Sequence, residues 1–402
     1  NNLSGEIPSS FSSLRALSYL DLGWNNLNGP ISALFGNLTE VIQIFLDNNN
    51  FTGQIPSSLL SLKDLNVIDL SYNKFQGSIL MSLGNLTKVT NIMLQHNNFT
   101  GYIPSSLSHL KDLNLVDLSY NKFEGSIPVS FGNLTKVTTI MLQYNNFTSH
   151  IPSSLSNLKD LTFIDFSHNN FGGFGGKISF LTNLTKLIEV DLSYNQLTSQ
   201  MCEFQPNNSL QYLRVENNRL YGSIPNSISN LVNLIEINLS SNDLSGIVEL
   251  DKSTNLAELE TLDVSNNSRL LGIKSNSNYT FLQKLDLSSC NITEFPNFLK
   301  SSKLLKKLEL SNNRISSQIP EWTFEVLENL LFLDLHANRL SGEIPSMICN
   351  ASYLEILDIS NNNLSGKGDR AYQPKTQAKK KLMPRGLILC YGLMCALRYC
   401  WK

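Results

Sequence analysis

The chain has 402 residues, 41% of them apolar and only 16% charged, with a formal net charge of −2. That balance excludes a disordered chain and a membrane bundle. Nine Lys/Arg against one acid beyond Gly366 leave the preceding residues acidic, without the basic stripe that nucleic acid requires. From Asn1 onward one frame repeats. Its clearest copy is Leu113-x-x-Val116-x-Leu118-x-x-Asn121-x-Phe123, with Gly125 beyond. The alternation of Leu113, Val116 and Leu118 predicts a short half-buried strand. Asn121 then suits a turn, because its side chain can bond backbone groups that lack a ladder partner.

The asparagine position is filled by Asn1, Asn25, Asn49, Asn73, Asn97, Asn121, Asn145, Asn169, Asn195, Asn218, Asn242, Asn267, Asn313, Asn338 and Asn362, with Cys290 standing in once. The interval is mostly 24 residues and runs from 23 to 26. This frame at this period is the leucine-rich-repeat signature. It predicts an α/β-type repeat solenoid: a right-handed, arched superhelix with one short parallel strand per repeat. Strand and loop dominate, with short 3-10 or irregular turns on the convex side. About 15 repeats are expected over 1–366, without a recognisable cap at either end. The segment 367–402 is expected to lie outside the solenoid.

Early repeats carry a second consensus after the asparagine, as in Ser4-Gly5-Glu6-Ile7-Pro8 and Thr52-Gly53-Gln54-Ile55-Pro56. Glycine permits the turn out of the strand. The Ile-Pro pair predicts a short extended segment that proline limits. Residues such as Ser9–Leu14 then suit a 3-10 turn with Leu or Phe inward. Residues 62–109 and 110–157 match at 37 of 48 positions, so the unit of duplication is a pair of repeats. The run Phe171-Gly172-Gly173-Phe174-Gly175-Gly176 lengthens one repeat and predicts a bulge at the coil's edge.

The Leu-x-Gly-x-Ile-Pro variant resembles the plant extracellular class of leucine-rich repeats. Ser288–Pro296 and Ile344–Asn350 resemble segments of plant receptor-like proteins, the kinase-less relatives of receptor kinases. That resemblance implies a non-enzymatic ectodomain on the extracellular side of the plasma membrane. It implies a peptide or protein ligand, a kinase co-receptor as signalling partner, and a role in defence or development. No cofactor and no nucleic acid are expected, and membrane attachment would come through a segment missing from this chain. The other readings are a secreted inhibitor resembling the polygalacturonase-inhibiting proteins and a truncated, non-functional fragment.

Sequons occur at Asn2, Asn37, Asn50, Asn85, Asn98, Asn133, Asn146, Asn183, Asn207, Asn238, Asn266, Asn278, Asn291, Asn350 and Asn363. Their number predicts a secreted glycoprotein. Cys202, Cys290 and Cys349 fall in different repeats, too far apart to pair with one another, and are expected to be single buried or turn cysteines. The apolar run 386–399 is too short to span a bilayer. The five histidines show no metal-ligand spacing, and no catalytic or phosphate-binding motif occurs.

Two columns remain for function. The position before the asparagine reads Trp24, Asn48, Tyr72, His96, Tyr120, Tyr144, His168, Tyr194, and holds no ring thereafter. The position between the strand leucines reads Asp21, Phe45, Asp69, Met93, Asp117, Met141, Asp165, Asp191. Both should face solvent on the concave side. The predicted ligand-binding residues are Trp24, Phe45, Tyr72, Met93, His96, Tyr120, Met141, Tyr144, His168 and Tyr194. Sequons spare these columns in the first half, whereas Asn238 and Asn266 fall on them in the second. The aspartates are expected to hydrogen-bond along the ladder.

Overall fold

A strand of three residues with one inward leucine can be satisfied only by neighbours that are its own copies. The computed structural model describes residues 1–172, 178–250, 256–275, 279–326 and 328–365, in two compact units, 1–234 and 235–402. In the first unit, Tyr19–Asp21, Gln43–Phe45, Val67–Asp69, Asn91–Met93, Leu115–Asp117, Thr139–Met141, Phe163–Asp165, Glu189–Asp191 and Tyr212–Arg214 pair in chain order, all parallel. In the second, Glu236–Asn238, Thr261–Asp263, Lys284–Asp286, Lys307–Glu309, Phe332–Asp334 and Ile356–Asp358 do the same. Register places Asp69 beside Met93, Met93 beside Asp117 and Asp117 beside Met141, so each sequence column is a physical row.

The ladder asparagine holds successive turns together. Asn121 Nδ2 donates to the carbonyls of Leu118 (3.2 Å) and Ser119 (2.9 Å) in its own repeat and of Leu94 (2.9 Å) in the previous one. Its Oδ1 accepts from the Phe99 N–H at 3.0 Å. Asn73, Asn97, Asn145 and Asn169 repeat the pattern. Two residues on, Phe51, Phe75, Phe99, Phe123, Phe147 and Phe171 are fully buried and stack with centroids 5.8–6.2 Å apart. Each such ring contributes about 1.5–3 kcal/mol by burial.

The structure adds a second parallel ladder to the expected one. In the first unit it comprises Ser4–Gly5, Asn26–Pro30, Asn50–Gly53, Lys74–Gly77, Asn98–Gly101, Lys122–Gly125 and Asn146–Phe147. These strands lie before the Ile-Pro pair, where the extended segment was predicted. Pro8, Pro104, Pro128 and Pro152 instead open the 3-10 helices Ser9–Ser13, Ser105–His109, Val129–Asn133 and Ser153–Asn157. Proline fits there because its fixed φ presets the turn and it has no N–H to leave unpaired.

The 3-10 turns also account for duplication in pairs. A Cβ on Gly132 would sit 2.4 Å from the Ser154 carbonyl oxygen, and one on Gly84 2.3 Å from that of Ser106. Ser154 Oγ then donates to the Val129 carbonyl (2.6 Å) and Ser106 Oγ to that of Met81 (2.7 Å). A glycine turn interlocks with a serine turn, so the matched pair is the unit that copies without a clash.

Cys202 and Cys290 are buried free thiols, but Cys349 is disulfide-bonded, which corrects its expected single state. That expectation weighed only pairings among the three repeat cysteines. Gly172 bridges to Gln196; the rest of the glycine bulge, Asn278 and 367–402 lie outside the described residues. Among the described residues no helix is long and apolar enough to cross a membrane, and no His/Cys/Asp/Glu group could hold a metal.

Candidate functional site

The residue before each ladder asparagine adopts the left-handed backbone conformation. From Trp24 through Tyr72, His96, Tyr120, Tyr144, His168 and Tyr194 to Asn361, φ at this position lies between 50° and 54°. For a non-glycine residue that region is uncommon and costs about 1–2 kcal/mol, least for Asn. It recurs because the N–H groups of Tyr120 and Asn121 are both held by the next repeat, by the Gln143 and Tyr144 carbonyls at 2.9 and 3.2 Å. Asn217, Asn266, Asn312 and Asn361 suit the conformation. Tryptophan and tyrosine in the first unit do not, so side-chain chemistry opposes backbone preference at Trp24, Tyr72, Tyr120, Tyr144 and Tyr194.

One repeated backbone angle aims every side chain the same way, and the rings stack. Centroids of Tyr72–His96, His96–Tyr120, Tyr120–Tyr144, Tyr144–His168 and His168–Tyr194 lie 4.1–4.4 Å apart, with interplanar angles of 9–18°. The ring faces therefore cover one another, and the row presents ring edges to solvent. The four tyrosines remain 39–48% exposed. Trp24 is 72% exposed and stands apart, because Asn48 interrupts the row. Burial holds His96 below the ordinary histidine pKa against the pull of Asp117.

Phe45, Met93 and Met141 are half-buried in the neighbouring row, alternating with aspartates. The structure brings eight of the ten predicted residues onto one continuous surface: the six stacked rings with Met93 and Met141. Phe45 instead contacts Tyr19, with centroids 5.6 Å apart. Sequence reading missed the row of first strand residues: Tyr19, Val67, Leu115 and Phe163 face the same side as the aspartates. Period-two alternation about the inward leucine carried that signal.

The aspartates do not bond along the ladder as expected. Each closes a turn within its own repeat: Asp117 Oδ1 accepts from the Ser119 N–H (2.9 Å) and Oγ (2.6 Å), and Asp165 from the Ser167 N–H (2.9 Å). Burial raises the Asp69 and Asp117 pKa and pushes Asp165 up to about 6, with Asp191 and Glu189 adding to it. A folded-state pKa above the unfolded value of about 3.9 means the folded chain keeps a proton that the unfolded chain releases. Stability contributed by Asp165 is therefore full below pH ~4 and falls as pH rises to about 6. Asn238, at the equivalent repeat position in the second unit, makes both turn bonds as an amide: its Oδ1 accepts from the Ser240 N–H (3.1 Å) and Oγ (2.7 Å). Asp165→Asn should thus raise the urea midpoint near pH 7.5 and leave it nearly unchanged at pH 4. Parallel pH profiles for variant and wild type would contradict this.

Asn37, Asn85, Asn133 and Asn183 are exposed at the ends of 3-10 helices, away from the rings. Asn2 and Asn146 are exposed and Asn50 and Asn98 half-buried beside the second ladder. Asn207, Asn266 and Asn363 are exposed, Asn238 and Asn291 half-buried, and Asn350 ends the helix Ser346–Asn350.

Two leucine-rich-repeat sequence profiles match the chain, one over 87–147 and the other over 16–38, 64–86, 209–231, 281–302, 304–325, 329–351 and 353–372. Receptor like protein 22 of Arabidopsis thaliana is 36% identical over 162 residues, 39% of this chain and 21% of that protein. Receptor like protein 24 of the same plant is 34% identical over 196 residues, 47% and 22% of the two chains. The chain thus spans about a fifth of the length of these relatives. The plant peptide hormone receptor RGFR1, solved in complex with RGF2, is similar in structure with a TM-score of 0.78 and 29% identity, covering 90% of this chain and 62% of that one. The Arabidopsis receptor kinase HAESA, solved with the peptide hormone IDA and the co-receptor SERK1, gives 0.64 and 27%, covering 91% and 73%.

Proposed function

We infer that this chain, which belongs to the leucine-rich-repeat family and is related to plant receptor-like proteins, is a ligand-recognition ectodomain at the plasma membrane. It binds a peptide or protein along the ring row of the 1–234 unit and signals through a partner kinase, in defence or development. One observation carries this reading: rings occupy left-handed positions that asparagine would fill at lower cost, and they do so only in the first unit. Tyrosine edges beside half-buried methionines supply the amphipathic anchors that dominate binding energy at interfaces. The peptide ligand of RGFR1 and the co-receptor of HAESA support the class of partner.

A glycan placed on this face tests the reading. Met93→Thr turns Asn91-Ile92-Met93 into a sequon within the ladder strand Asn91–Met93. The probe is a peptide enriched from a displayed library on the wild-type chain. The variant made in a glycosylating host, with the added mass confirmed, should lose the probe, while the same variant made without glycosylation should still bind it, weakened only by the loss of the Met93 side chain. Equal binding by both forms would place the ligand elsewhere.

A further inference from the structure

The ring row contains one contact between two phenols. His96 and His168 separate Tyr72 and Tyr194 from its centre, where Tyr120 and Tyr144 stand in consecutive repeats. Their ring centroids lie 4.4 Å apart with an interplanar angle of 16°. Ring carbons of one phenol therefore lie over those of the other, within van der Waals reach. The backbone fixes the pair. Strands Leu115–Asp117 and Thr139–Met141 run side by side in register. The Tyr120 and Asn121 N–H groups bond to the Gln143 and Tyr144 carbonyls. Both tyrosines share the left-handed conformation, with φ of 51° and 54°.

Thiols, indoles and phenols are the side chains that give up one electron most readily. Cys202 and Cys290, the free thiols among the described residues, are buried and out of reach of an oxidant at the surface. Trp24, Tyr102 and Tyr353 are the most exposed of the oxidisable rings, but none of them stacks on a second ring among the described residues. Tyr120 and Tyr144 combine open edges, 39% and 42% exposed, with a partner already in place. Burial, with Tyr144 beside it, holds the Tyr120 pKa above the ordinary phenol value. The phenol is therefore protonated when it is oxidised, and it releases its proton with the electron, to water at the open edge.

We propose that Tyr120 and Tyr144 are a site of oxidative coupling, joined within one chain by a carbon–carbon bond when hydrogen peroxide and a haem peroxidase oxidise both phenols. Each tyrosine loses one electron and one proton. The phenoxyl radicals carry spin on the ring carbons next to the oxygen, and one such carbon of each ring forms the new bond. The hydrogens on those two carbons then move to the oxygens and restore two phenols. The two electrons and two protons reduce one hydrogen peroxide to two waters. The bond closes a loop of one repeat, which restricts the unfolded chain as a disulfide of equal span does. It also locks the centre of the ring row, whatever that row binds.

Treating the full chain with hydrogen peroxide and a haem peroxidase tests this, with the digest read by mass spectrometry. The expected product is a linked pair of peptides carrying Tyr120 and Tyr144, two hydrogens lighter than their sum. It should show biphenol fluorescence and form in a yield independent of protein concentration. Tyr144→Phe keeps a ring in the stack but has no phenol to oxidise, and should lose the product. Tyr102→Phe removes a more exposed phenol outside the row and should leave the yield unchanged. Absence of the linked pair overturns the proposal, whether or not other tyrosines are modified. A link that appears only as protein concentration rises joins separate chains and also overturns it. A bond from Tyr120 to His96 in place of Tyr144 does the same.

Discussion

Replacing Asn121 with alanine is expected to lower the unfolding free energy of the 1–234 unit by about 2–3 kcal/mol. The side chain is the acceptor for the Phe99 N–H and ties the carbonyls of two successive repeats together. The Phe99 N–H loses its acceptor, whereas each carbonyl loses one of two donors: Leu94 keeps Asn97 Nδ2, Leu118 keeps Asn145 Nδ2 and Ser119 keeps the His96 N–H. A group left unsatisfied away from water costs roughly 1–3 kcal/mol, and alanine offers the Phe99 N–H no replacement. The loss falls between two turns, so it weakens the nearest-neighbour contact on which a repeat array depends. Cys290 shows how little of the network another residue can keep: its thiol donates one bond, to the Val264 carbonyl at 3.3 Å. Burial pushes that thiol up to about 12, so it retains the proton it donates. Urea denaturation of the variant followed by circular dichroism measures the effect. A change below about 1 kcal/mol would show that water restores the lost partners.

The frame of leucines and asparagines was legible in the sequence because each inward residue does one job at a fixed offset. Leu113, Val116, Leu118 and Phe123 are all fully buried. The 3-10 turns were legible for the same reason, since Leu107 and Phe131 mark their inward side. The second ladder was placed too late in the repeat, because Ile-Pro reads as extended while the hydrogen bonds form at the preceding Phe and Gly. The ring row was visible as composition but not as geometry. Its left-handed backbone was signalled by Asn217, Asn266, Asn312 and Asn361 in the same column, residues that tolerate that conformation. Face-to-face stacking follows only once the angle is known.

Converting Tyr72, Tyr120 and Tyr144 together to asparagine should separate binding from folding. Asparagine already stands at this position in other repeats with the same φ, so the backbone accepts it. Each replacement recovers up to about 1 kcal/mol of left-handed strain and loses ring stacking of about 0.5–1.5 kcal/mol per pair. These terms oppose each other, so the net change in stability should stay within about 2 kcal/mol. Binding has no such offset. The substitutions remove three partly exposed aromatic edges and leave His96 without its two tyrosine neighbours. Aromatic anchors of this kind contribute about 2 kcal/mol or more apiece when they dominate an interface. The most direct measurement is the dissociation constant of a library-enriched peptide ligand on wild-type and triple-variant chains whose circular dichroism spectra match. If the ring row reads the ligand, the triple variant binds at least roughly 100-fold more weakly; equal affinity on matched folds would contradict it.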